Sequence, residues 1–80
     1  MPMIDESALD NILVAQKNLI IERINSAVVT KDAKGKLYSR ELHDACTMLN
    51  VVRALWYACS YGYKYTEVQK RITDKFLEIP

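Results

Sequence analysis

The chain has little of what most catalytic and ligand-binding devices are built from. Its 80 residues include two glycines, two prolines, two cysteines and one histidine. Gly35 and Gly62 stand too far apart to form a glycine-rich phosphate loop. With one histidine, any Ser–His–Asp or Cys–His device would have to centre on His43. No apolar run approaches the roughly 18 residues of a membrane-spanning helix. The opening MPMIDESALD is acidic where a signal peptide is basic. These absences predict a cytoplasmic protein with no membrane association and with reduced thiols. Eleven bases against ten acids give a net charge of +1, too little of one sign to draw in nucleic acid or an anionic membrane.

What is present is apolar and helical. Half the residues are hydrophobic and 26% charged, the composition of a globular chain. The length fits one domain, and a domain this small buries only about 60–65% of its unfolded surface. The spacing predicts three helices, about 5–29, 40–61 and 66–78, with a basic loop over 30–38. Asp5 or Ser7 is a candidate cap for the first. Leu9, Ile12, Leu13, Leu19, Ile20, Ile24 and Ala27 recur on one of its faces, interrupted by Gln16 and Arg23. Ser39 is the candidate cap of the second helix and Gly62 its candidate stop. Thr66 and Gln69 have capping-box spacing for the third. The loop carries Lys31, Lys34, Lys36 and Arg40 against Asp32, and a short hairpin over 28–39 is its alternative reading.

The second helix is the most informative. At about 100° per residue, Leu42, Ala45, Cys46, Met48, Leu49, Val52, Leu55, Trp56 and Cys59 fall on one arc, which Val51 and Ala58 extend. An apolar arc wider than half a helix exceeds what one neighbouring helix covers. The expected fold is all-α: an antiparallel hairpin of two long helices plus a short third, a small three-helix bundle that self-associates.

Two short segments resemble known motifs. Glu67, Val68 and Ile72, within Gly62–Ile72, resemble the first helix of a DNA-binding helix-turn-helix. Gln69 stands where that motif has a small alanine, and Thr73–Phe76 holds no glycine turn, so the groove-reading second helix would be missing. Gly35, Leu37, Glu41 and Leu42 resemble the back half of an EF-hand calcium loop. Thr30 and Lys34 stand where oxygen ligands belong. The expectation is a corner without metal.

Cys46 and Cys59, thirteen residues apart on one helix, would be separated by about 20 Å and cannot pair. His43 and Cys46 offer two metal ligands at i, i+3 spacing, and a full set would need a second copy. Arg53 and Trp56 are of the residue types enriched at interface hot spots. With Tyr57, Tyr61, Tyr63 and Tyr65 they are the candidate partner-binding residues. Tyr61, Tyr63, Lys64, Tyr65, Lys70 and Arg71 form the alternative set, rings and cations for a nucleotide or single-stranded nucleic acid. The sequence therefore predicts a small non-enzymatic interaction module without cofactor or metal. It would act as a homodimer or higher homo-oligomer on a larger protein. The nucleotide or nucleic-acid binder and a small metal-assisted enzyme centred on His43 are the alternatives.

Overall fold

A computed structural model describes residues 6–78. It is mostly helical. Helix α1 spans Glu6–Asn25, α2 spans Arg40–Ala58 and α3 spans Gly62–Leu77. Two short antiparallel strands, β1 (Thr30–Lys31) and β2 (Leu37–Tyr38), join α1 to α2 with Thr30 opposite Tyr38. The expected cap at Asp5 lies outside the described residues.

Helix α1 ends four residues before the expected 29. The β-branched run Val28–Val29–Thr30 favours extended backbone and leads into β1. The hairpin loop is organised by one side chain, while Thr30 Oγ1 donates across the strands to Tyr38 O at 3.2 Å. Asp32 Oδ1 accepts the amides of Lys34 and Lys36, each at 2.8 Å, while Gly35 takes the left-handed turn position at φ 82°. Such a turn closes a three-residue hairpin loop. At the hairpin's root, the Glu41 carboxylate accepts the Val28 amide at 2.8 Å. The EF-hand likeness thus dissolves here: both acids of the segment hold backbone amides.

Ser39 caps α2 as expected, its Oγ accepting the Leu42 amide at 3.2 Å from a buried position. The stop is not Gly62. Helix α2 closes with Tyr61 N–H donating to Trp56 O and Ser60 N–H to Tyr57 O, the paired bonds of a left-handed C-terminal cap. Ser60 fills the left-handed position at φ 58°, among the described residues the only one besides glycine to do so. Gly62 is instead the first residue of α3, which starts four residues earlier than expected. Thr66 is therefore inside the helix and donates to Tyr63 O rather than capping. Helix α3 then runs without a break to Leu77, with no turn after Ile72.

The core takes residues from all three helices: Leu13, Ile20 and Ile24; Leu42, Ala45, Leu49 and Trp56; Val68 and Ile72. Trp56 is fully buried, and its Nε1–H donates to Gln16 Oε1 at 2.8 Å. Gln16, which interrupts the apolar face of α1 in sequence, is there to satisfy that donor. The broad arc of α2 is only partly covered. Cys46 and Val51 are exposed, and Leu55 is 39% exposed.

Candidate interaction surfaces

The two exposed flanks of α2 differ in chemistry, and that difference follows from which neighbour lies on each side. On the α3 side, helical spacing places Arg53, Tyr57, Asn50 and His43. The Arg53 guanidinium lies 5.9 Å from the Tyr57 ring centroid and 5.7 Å from that of Tyr65. The two rings are 5.7 Å apart, and the Tyr65 hydroxyl is 3.4 Å from Asn50 Oδ1. Glycine at 62 lets the Tyr57 ring lie across the start of α3, since a Cβ there would sit 2.5 Å from Tyr57 Cε1.

A second stack continues round the turn. Tyr61 packs edge-on to Trp56 at 5.0 Å and to Tyr63 at 5.6 Å, and Lys64 Nζ lies 5.6 Å from the Tyr63 ring. Tyr57 and Tyr61, four residues apart in sequence, fall into different stacks because the left-handed turn at Ser60 redirects the chain between them. Burial raises the Tyr61 phenol above its usual range, with the Lys64 ammonium opposing that rise. Lys64 is tied to Glu67 at 2.9 Å; the hydrogen bond holds its ammonium protonated to higher pH and holds the Glu67 carboxyl below the usual carboxylate range.

These positions regroup the residues singled out in sequence. Trp56 is core, not surface, so a partner cannot reach it. Arg53 is exposed and satisfied by two rings of its own chain, and neither Glu22 nor Glu41 pairs with it. Of the four tyrosines in the candidate partner-binding set, Tyr57 and Tyr63 are the most exposed, at 51% and 63%. Of the nucleic-acid set, Lys64 and Arg71 share one face of α3, seven residues apart. Lys70 is turned about 100° away, and Tyr65 points to α2. The six do not line one surface.

His43 is exposed, and the nearby Cys46 lies in a groove shared by α2 and α3. Although Cys46 is exposed as a residue, partial burial in that groove pushes its thiol upward, which lowers its thiolate fraction and its reactivity. Among the described residues, no three of His, Cys, Asp or Glu converge where a metal could be held.

The other flank of α2, toward α1, was hidden in the arc read from sequence. Met48, Val51, Leu55 and Ala58 recur at spacings of three, four and three on this side. On α1, helical spacing puts Ile12, Ala15 and Leu19 on one face, of which Leu19 borders α2 here. Val51 is 77% exposed and Leu19 56%. Between the helices runs an apolar groove of about 260 Å³ bounded by Leu19, Ile20, Met48, Val51 and Val52, with Gln16 and Thr47 at its margins. Sequence periodicity showed that α2 has excess apolar surface. It could not show that α3 covers one flank and leaves the other open. Among the described residues no helix is long and apolar enough to cross a membrane. Comparison with protein families, characterised proteins and solved structures gave no match.

Proposed function

We propose that the protein is a small non-enzymatic interaction module, a regulator, adaptor or inhibitor of a larger protein in the cytoplasm, and that it works as a helical homodimer. In this reading α1 and α2 form an antiparallel hairpin, α3 completes a three-helix bundle, and a second copy covers the apolar flank. The observation that carries it is the uncharged groove between α1 and α2. Exposed apolar residues scattered singly are ordinary, but a contiguous strip from two helices marks an association surface. Self-association also relieves the small core of an 80-residue chain. The larger protein would meet the Arg53–Tyr57–Tyr65 flank, where the tyrosines offer contact area with little entropy to lose and arginine is a residue type enriched at interfaces.

Light scattering over a dilution series tests the dimer, and affinity capture with Arg53→Ala and Tyr57→Ala tests the partner flank. A monomer at every concentration, together with a captured set unchanged by both substitutions, sinks the reading.

One feature supports a second reading. Tyr63 is 63% exposed with Lys64 beside its ring, a small platform for a base and a phosphate. It predicts salt-sensitive binding of a single-stranded oligonucleotide that weakens in Lys64→Ala and Arg71→Ala. A flat low-salt titration removes it.

A further inference from the structure

We propose that the second copy docks on the α1/α2 groove about a parallel two-fold axis, with the two β-hairpins at the same end; this rests on the homodimer reading above. The warrant is where the charges fall on that face. From Leu19 and Thr47 to Ile12 and Ala58 it bears no charged side chain. Among the described residues, the charges of this face sit at the hairpin end. Arg40 and Asp44 continue the spacing of Met48, Val51 and Leu55 along α2. Glu22 and Arg23 border a second cavity that shares Leu19 and Met48 with the groove. Two acids and two bases therefore cluster beside the strip, with a net charge of zero. None of the four joins an ion pair; among the described residues those are Lys64–Glu67 within α3 and Lys75–Glu78 at its C-terminal end.

A two-fold contact places one surface on its own copy, so the surface must complement itself. A face of one sign would repel its copy; this one does not. The position of the charges then selects the orientation. In an antiparallel pair the charged end of each copy would lie over Leu55, Ala58 and Ile12 of the other, stripping water from charges without supplying partners, which is unfavourable. In a parallel pair the apolar strips meet along their length and the charged ends meet each other. Acids then face bases at a solvent-accessible rim, which sets register more than affinity. The Arg53–Tyr57–Tyr65 flank is left free on the opposite side of α2.

The test uses the full chain with Cys46→Ser and Cys59→Ser, a spin label on Lys34→Cys at the hairpin tip, and dipolar distance measurement. The parallel dimer predicts a tip-to-tip distance of about 20–30 Å, two to three helix diameters. An antiparallel dimer separates the tips by nearly the 58 Å length of the molecule, and that result overturns the proposed orientation while leaving the dimer standing. Val51→Glu, checked for folding by circular dichroism, is expected to weaken dimerisation at least tenfold, and Asp44→Arg several-fold. A dimer indifferent to Val51→Glu overturns the face. A chain that is monomeric at all concentrations overturns the homodimer reading and this inference with it.

Discussion

At residue scale the α2–α3 turn concentrates the molecule's conformational cost. A side chain in the left-handed region is disfavoured by about 1–2 kcal/mol relative to glycine, and Ser60 occupies it at φ 58°. The cap hydrogen bonds and the Tyr61–Trp56 contact at 5.0 Å hold it there. Ser60→Gly is expected to stabilise the fold by about 0.5–1 kcal/mol, because relief of strain is partly offset by the greater entropy of glycine in the unfolded chain. Thermal unfolding checks this, and a fall in Tm would show that the turn is not strained. Gln16→Ala leaves the Trp56 indole N–H without its acceptor in a buried place. The expected loss is about 1–3 kcal/mol, read by chemical denaturation with Gln16→Glu as the variant that keeps an acceptor. Tyr61 supplies the pH prediction. Its folded pKa is raised by burial, so its contribution to stability is whole below the ordinary tyrosine pKa and is lost as pH rises through the raised value. In an ultraviolet tyrosinate titration, Tyr61→Phe should remove an ionisation that lies above the ordinary tyrosine pKa. Loss of an earlier step instead would contradict the assigned burial.

At element scale the hairpin depends on Asp32 in a way the helices do not. Asp32→Ala removes the acceptor of two loop amides. Amide exchange in 30–38 should rise several-fold while that of α1 and α3 is unchanged, and equal loosening of all elements would mean that the hairpin is integral to the core. Elements were also where the sequence was most legible. The three helices follow from apolar periodicity, and the Ser39 cap from a serine directly before that periodicity resumes. The missed boundaries have physical causes. Glycine is the usual left-handed stop, so Gly62 drew the end of α2 toward itself while Ser60 made the turn. Thr66–Gln69 copied a capping box inside a helix that the turn had already started. Trp56 was assigned to an interface because its acceptor, Gln16, lies 40 residues away in sequence, and periodicity carries no information about that pairing.

At the scale of the whole molecule the distribution of apolar surface decides the account. With a Cα radius of gyration of 15.0 Å and extents of 58 × 18 × 16 Å, the molecule is long and thin against the roughly 12 Å expected for a compact chain of this length. A thin body of three helices has few interior positions, which is why Ile12, Leu19, Val51 and Leu55 remain at the surface. The sequence showed the surplus; only the packing of α3 on the Tyr57 flank shows where it lies. The most direct measurement is the solution mass by size exclusion with light scattering, from micromolar to hundreds of micromolar chain. The account predicts about twice the 9.2 kDa chain mass at the upper end, falling to the single-chain mass in Val51→Glu. A well-folded 9.2 kDa particle throughout that range, identical in the two proteins, would contradict it.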